Sequence, residues 1–331
     1  VATKPKPDPP QPDRDLAKAL DHARALSWNS FGRVLDFFLP GMFVLNGETG
    51  LYPAASITGN ECQLQCDHCR GRLLPPMIAA PTPEILIQKA LDLEKRGRLG
   101  LLVSGGSDRQ GRLPWDRYCP ALEEISRRTR LVITVHSGCL DRETARRLKD
   151  VGVSQALVDI IGDDDTARKI CHLESGAAPL WETLDHLLVV GLEVAPHVVL
   201  GLNHGRIQGE YLALERLRPY HLKRLVTVVL TPFSGTPLAG VKPPAPEEAA
   251  RFLIAAREAL PLARHHLGCA RPRGPYRRQL DRLAVLAGVN ALALPSDEAW
   301  TQAEALGLET KLIKTCCSLA GEEIASSKPG L

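Results

Sequence analysis

The stretch Arg224–Leu260, RLVTVVLTPFSGTPLAGVKPPAPEEAARFLIAAREAL, holds one complete structural unit. Its opening run, Leu225 to Leu230, is almost continuously apolar and β-branched, the pattern of a strand buried on both faces in a parallel sheet. A proline- and glycine-rich turn follows. Ala245-Pro246-Glu247-Glu248 then opens a helix, with proline in the first turn and acids facing the positive helix terminus. The same unit recurs along the chain. Strands are expected at Ala54–Thr58, Leu99–Ser104, Leu131–His136, Gln155–Ile161, Val194–Leu202, Arg224–Thr231, Ala263–Gly268 and Asn290–Leu294. Helices are expected to begin near Thr82, Trp115, Asp141, Leu180, Gly209, Pro246, Tyr276 and Asp297. Thr82-Pro83-Glu84 reads as a cap, a first-turn proline and a first-turn acid; Asp141 caps DRETARRLKDVG. Eight β/α units over about 250 residues is the size of a (β/α)8 TIM barrel, with a doubly wound sheet as the structural rival.

Around this core, residues 1–13 (VATKPKPDPPQPD) and 321–331 read as loose tails, and residues 14–320 as a single barrel domain. Its N-terminal helical extension (DLAKALDHARAL, then Phe31, Phe37 and Phe38) is expected to pack on the bottom or flank of the barrel. The C-terminal segment is expected to close over the mouth. The chain has 331 residues, 44% hydrophobic and 24% charged, as in an ordinary soluble globular protein. No apolar run is long enough to span a bilayer, and no apolar signal core begins the chain. The 41 basic and 38 acidic residues are well mixed, which argues against a dedicated nucleic-acid or membrane surface. Nine cysteines without a secretion signal are not a disulfide framework, so a reducing cytoplasm and metal or redox chemistry are expected.

Three of the cysteines carry the chemistry. Cys62, Cys66 and Cys69 in ITGNECQLQCDHCRG have C-x3-C-x2-C spacing just after the first strand, on the barrel face where active-site loops gather. Structural zinc wants four ligands in two close pairs, and no partner pair follows nearby. Three close thiolates on one loop suit an iron–sulfur cluster with one iron left open.

This arrangement resembles the radical S-adenosylmethionine (SAM) superfamily. The resemblance implies that Cys62, Cys66 and Cys69 ligate a [4Fe–4S] cluster whose fourth iron binds SAM, and that reductive cleavage yields a 5′-deoxyadenosyl radical. His68, where the family usually has an aromatic residue, is expected near adenine. Ser104, Gly105 and Gly106 form the Gly-Gly-rich turn that meets the methionine amine, or else a plain tight turn. Asp159 is placed for the ribose hydroxyls, or else caps a helix or is a solvated acid. Leu200, at the end of the fifth strand, is placed to pass adenine, though a buried strand end would look the same.

The other cysteines decide the subtype. Cys119 and Cys171 read as small buried hydrophobes, and Cys139 lies at the mouth. Cys269 ends the seventh strand, and Cys316 and Cys317 form a pair that cannot easily make a relaxed disulfide with itself. Folded back, that pair would meet Cys269 in a second cluster site. The span from about 15 to 318 is similar to the biotin-synthase-like branch of the superfamily, on SITGNECQLQCDHCRG, VHSG, DIIGDDDT, PHVVLGLNHGRIQGE, LGCARPRG, AGVNALALP and CC. Within the branch it most resembles one subunit of the two-protein, archaeal-type lipoyl synthases. That resemblance implies an auxiliary [4Fe–4S] cluster that donates sulfur to an octanoyl-lysyl arm. It also implies an octanoylated carrier protein or domain, a second synthase subunit, and an electron donor such as ferredoxin or flavodoxin. The alternatives are a biotin-synthase-like enzyme acting on a small molecule or maturing a metallocofactor, and a non-catalytic iron–sulfur scaffold. Arg271, Arg273, Arg277 and Arg278 could face an acidic carrier, or simply form a solvated helix start.

Overall fold

The computed structural model describes residues 11–319. Residues 1–10 and 320–331, which hold most of both expected tails, lie outside the described residues. The first turn of structure is set by Asp13, whose carboxylate accepts from Leu16 N at 2.8 Å and starts α1 (Arg14–Phe31). Then come β1 (Val34–Phe38), the hairpin strands β2 (Val44–Leu45) and β3 (Glu48–Thr49), β4 (Ala54–Ser56), β5 (Ile78–Ala79) and α2 (Pro83–Lys95). Next are β6 (Gly100–Ser104), α3 (Trp115–Arg128), β7 (Val132–His136), α4 (Arg142–Asp150), β8 (Gln155–Asp159), α5 (Asp164–Lys169) and α6 (Ala178–Val189). The chain continues through β9 (Glu193–Leu200), α7 (Glu210–Leu217), β10 (Arg224–Val229), α8 (Pro246–Ala259) and β11 (Arg264–Leu267). It ends with α9 (Pro275–Leu286), β12 (Ala291–Ala293), α10 (Asp297–Ala305) and β13 (Glu309–Ile313).

The strands form one curled parallel sheet in the order β13-β1-β12-β11-β10-β9-β8-β7-β6-β4-β5. Every expected strand is present, in consecutive spatial order, and every expected helix begins within two residues of its signal. The architecture is therefore α/β and TIM-barrel-like. Local chemistry explains the helix starts. Thr82 Oγ1 accepts from Ile85 N (3.3 Å), Asp141 from Thr144 N (2.8 Å), and Glu248 reaches back to Ala245 N (2.7 Å).

Five strands were not foreseen: the short hairpin pair β2 and β3, the two-residue β5, and the longer β1 and β13. Val34–Phe38, expected as a packing patch, is β1 and pairs parallel with both β12 and β13. The seam between β13 and β4 is bridged by a backbone bond from Leu51 N to Lys314 O (2.7 Å), and Leu51 O in turn accepts from Leu99 N ahead of β6 (2.9 Å). Tyr52 crosses this seam inside the barrel, its hydroxyl 2.7 Å from Val132 O. Gly100 makes room for it, since a Cβ there would lie 2.0 Å from the Tyr52 ring.

Alternation along the strands sorts the side chains into two cores. The larger lies between sheet and helices, around Leu101, Val103, Ile133, Val135, Val198 and Leu225. The smaller fills the barrel interior, with Tyr52, Val132, Leu157, Ala195, Val226, Val228, Cys316 and Leu319 in contact. The C-terminal segment thus differs from its expected position over the rim: it turns inward and plugs the interior. The reason is a polar layer at the start of the strands. Ser318 O accepts from Arg224 Nη1 (2.6 Å) and Gln155 Nε2 (3.2 Å), and His266 Nδ1 donates to Cys317 O (2.6 Å). These bonds satisfy backbone groups that would otherwise be buried without partners.

Candidate functional site

The cysteine loop leaves β4 at the end of the sheet where all the parallel strands finish. Thr58 Oγ1 organises its start, donating to Glu61 O (2.9 Å) and accepting from Gly106 N (2.7 Å). Ser107 O accepts from Gln63 N (2.8 Å) and Leu64 N (3.3 Å), and Gln65 Nε2 donates to Cys62 O (2.6 Å). A Cβ on Gly106 would lie 2.0 Å from Glu61 O and 2.5 Å from Cys62 Cβ, so only glycine lets the β6 turn lie under the loop. Cys62, Cys66 and Cys69 line one cavity of about 280 Å³, together with His68, Ser104, Gly105, Gly106, His136, Cys139 and Asp159. Three thiols from one loop, facing a single cavity, fit a cubane cluster with one free coordination site. Contact with the Cys171 thiol and burial push the Cys66 thiol far up, and contact with Cys66 and burial hold Cys69 at about 12. Cys62, Cys66 and Cys69 would have to give up their thiol protons to hold a cluster, as thiolate ligation requires.

Buried aromatic anchors fix the loop tops around the cavity. The Tyr118 hydroxyl lies 2.8 Å from Ile57 O and 3.0 Å from Ala80 O. Trp115 Nε1 donates to Ser137 O (2.8 Å), and Trp181 Nε1 to Ile161 O (2.9 Å). Each ring fills the outer core while its polar atom ties down a loop.

Asp159 ends β8 inside the mouth, with His136 Nε2 3.6 Å away and the His136 and His197 rings 6.1 Å apart. Burial pushes the Asp159 carboxyl up, but His136, His197 and His68 outweigh it and hold it down at about 2. Burial pushes His136 down, and Asp159 more than reverses that, so it titrates above 6.5. His197 is lowered to about 4 by burial and by the His136 charge. The Asp159 side chain keeps 43% of its surface accessible because it faces the cavity. It is therefore free to bind a ligand hydroxyl.

The second triplet is assembled from the end of β11 and the C-terminal plug. The Cys317 thiol touches both Cys269 and Cys316. Its contact lowers the Cys316 thiol to about 6, with Ser318 Oγ 3.2 Å from Cys316 Sγ adding to the effect. Cys316 also lies close enough to the cavity-lining His136 to interact electrostatically. The three expected partners thus meet inside the barrel.

Several expected placements change. Leu200 does not reach the cavity: it is fully buried in the outer core, whereas Val199 and Leu202 line a smaller neighbouring pocket that shares His68, Asp159 and Cys171 with the cavity. Side chains alternate along β9, so a one-residue difference reverses the face. The Gly106 N–H is committed to Thr58, so this turn's first role is to seat the cysteine loop. The basic stretch is only partly a free surface: Arg273 is exposed and Arg277 half-buried, but the other two are tied down. Arg271 is wholly buried, bonded to Asp281 (2.7 Å) and to Gly268 O and Ala293 O (2.7 Å each), and Arg278 pairs with Glu298 (3.2 Å). Cys119 is packing, as expected. Cys171 is not only packing: it lines the cavity beside Cys66. Its position after the fourth strand was a usable signal, masked by the short α5.

Residues 56–209 match the Radical SAM superfamily. The chain is 28% identical over 187 residues to a biotin synthase of Cenarchaeum symbiosum, covering 55% of this chain and 56% of that one. It is 28% identical over 292 residues to a biotin synthase of Pelotomaculum thermopropionicum, covering 84% and 88%. The matched stretch thus spans little more than half the length of the first relative and most of the second. Among solved structures, methylornithine synthase superposes with a TM-score of 0.62 at 16% identity, covering 91% of each chain. The [FeFe]-hydrogenase maturase of Carboxydothermus hydrogenoformans gives 0.63 at 14% identity, covering 91% of this chain and 73% of that one. These structural likenesses establish the fold. Among the described residues no helix is long and apolar enough to cross a membrane.

Proposed function

Given a radical SAM domain of the biotin-synthase-like kind in this chain, we propose that the protein inserts sulfur into an octanoyl-lysyl chain on a carrier protein, as one component of a lipoyl synthase. The observation that carries this reading is the presence of two cysteine triplets in one barrel. Cys62, Cys66 and Cys69 line the cavity, and Cys316 adjoins the same cavity through His136. A SAM-bound cluster at the first triplet supplies a primary carbon radical able to abstract hydrogen from an unactivated C–H bond. Cys269, Cys316 and Cys317 would hold the auxiliary [4Fe–4S] cluster as the sulfur source.

The chain's own residues support this division of labour. Asp159, ionised across the working pH range, accepts hydrogen bonds from a ribose. His68 is at the cavity wall beside Cys69. Leu73, Leu74, Met77, Leu102, Leu113 and Leu173 make the cavity largely apolar, which suits a saturated acyl chain and excludes water from a reactive intermediate. A second synthase subunit and a ferredoxin- or flavodoxin-type reductant complete the proposed system.

The relatives' name favours one rival, sulfur insertion into a small molecule. Anaerobic reconstitution and reduction with SAM, followed by mass spectrometry of an octanoyl-lysyl peptide, tests the reading. A sulfur-bearing peptide together with 5′-deoxyadenosine is expected. 5′-Deoxyadenosine without peptide modification would move the substrate to a small molecule. No 5′-deoxyadenosine from fully clustered protein would leave only a scaffold.

A further inference from the structure

The residue that the cysteine motif does not account for is Cys171. It sits at a corner that is clamped to the cysteine loop. Asp67 N donates to Ile170 O (2.8 Å), Cys66 Sγ lies 3.4 Å from Cys171 O, and His172 Nδ1 donates to Leu64 O (2.9 Å). The other ring nitrogen of His172 lies 3.2 Å from Asp67. His172 itself adopts a left-handed backbone (φ 59°), which a non-glycine residue holds only where its surroundings enforce it. The corner therefore fixes Cys171 against the loop.

The consequence is a compact donor set. The ligand atoms of Cys66, His68 and Cys171 all lie within 4.8 Å of one another, and neither cysteine triplet is as tight. His68 Nδ1 is buried and has no hydrogen-bond partner. Cys66 and Cys171 are buried, and His68 and Cys171 line the cavity from which an ion would enter. Two thiolates and one imidazole are the soft N/S donors of tetrahedral zinc-type sites, with the fourth position open to water from the cavity.

We propose that Cys66, His68 and Cys171 bind a single thiophilic divalent cation of the zinc type when the chain carries no cluster. Binding releases the two thiol protons to solvent and forms two metal–sulfur bonds and one metal–nitrogen bond, with no change of oxidation state. Because Cys66 belongs to both donor sets, the ion and the cluster exclude each other. The ion holds the cluster-free loop in place and must leave before the cluster is built.

The test uses the full-length, cluster-free chain under anaerobic conditions, titrated with Co²⁺ as the spectroscopic probe and then displaced by Zn²⁺. One equivalent should give sulfur-to-cobalt charge-transfer bands and tetrahedral d–d bands. Cys171→Ala should weaken binding by more than the roughly 10–100-fold that losing an outer-shell partner costs, and Cys171→Ser should do the same with side-chain size retained. Cys62→Ala should leave the bands and affinity unchanged, since Cys62 lies outside the set. Circular dichroism and melting confirm that each variant is folded. Loss of binding in Cys62→Ala with retention in Cys171→Ala would place the ion on the cluster ligands and overturn the proposal. Loss in both folded variants, or no binding by the unaltered chain, would overturn it as well. Zinc-loaded protein should refuse cluster reconstitution until a chelator is added, whereas Cys171→Ala should accept a cluster with zinc present.

Discussion

The two cysteine triplets reach the same barrel by opposite routes. Cys62, Cys66 and Cys69 come from eight consecutive residues of one loop, held mainly by backbone hydrogen bonds within the loop and to the β6 turn. Cys269 and the Cys316–Cys317 pair lie 47 residues or more apart and meet only because the C-terminal segment enters the barrel. The first set is a local motif that needs a scaffold only for aim. The second is a product of the tertiary fold, dependent on buried side chains such as Arg224, His266 and Arg271. The first should therefore survive damage to distant packing, and the second should not.

The largest expected effects separate the two in function. Cys62→Ala should abolish SAM cleavage completely, while the Cys316→Ala, Cys317→Ala double variant should still form 5′-deoxyadenosine and lose sulfur transfer. Iron and sulfide counts should fall to one cluster in each case. A double variant that retains two clusters would break the comparison at its root.

Next in size is a stability effect confined to the second set. Arg271 and Asp281 are both fully buried, and Asp281 also accepts from Ser296 N (2.9 Å). The guanidinium holds the carbonyls of Gly268 and Ala293, the residues flanking Cys269 in sequence and in the sheet. Asp281→Asn leaves a buried cation unpaired, at a cost of about 3–5 kcal/mol. Denaturant unfolding should show this loss. The cluster proposed for the second set should load poorly, whereas a cluster on the loop should load normally in whatever fraction remains folded. The mirror-image variant is Gly106→Ala. Its Cβ would press on Glu61 O and Cys62, an overpacking cost of about 1–3 kcal/mol. Here the loop cluster should load poorly and the second set should be spared.

The same contrast explains what could be read from the sequence. The β/α units were legible because continuous apolar runs and capped amphipathic helices are local signals, and so was the C-x3-C-x2-C loop. β1 and β13 were not. VLDFF carries an inward Asp36 that is neutralised by Arg264 (3.0 Å) and Lys311 (3.5 Å) from other strands, and ETKLI opens with three polar residues and has just two apolar ones, at a sheet edge. Arg271 looked like surface charge because its partner, Asp281, is one helix away. Leu200 was assigned to the wrong face because strand parity depends on register, which β9 takes from its neighbours. Cys171 was hidden because its closeness to Cys66 is set by a turn after α5, not by spacing.

The smallest expected effect concerns the His136–Asp159 pair, which lies between the two triplets. Asp159 sits at about 2, below the ordinary 3.8, so its contribution is present above pH 3.8 and fades as pH falls through about 2. His136 is raised above 6.5, so its contribution is complete below 6.5 and fades as pH rises through the folded value. The charged pair therefore exists only between those limits. Asp159→Asn removes the main partner and leaves burial, opposed only by the weaker pull of Cys316, acting on His136. NMR titration should then place His136 below 6.5 instead of above it, with little change in melting temperature because the pair faces an open cavity. A His136 pKa that stays raised in Asp159→Asn would mean that its charge is held by Cys316 instead. That outcome would tie the mouth electrostatically to the C-terminal triplet, where the unaltered geometry makes Asp159 the stronger partner.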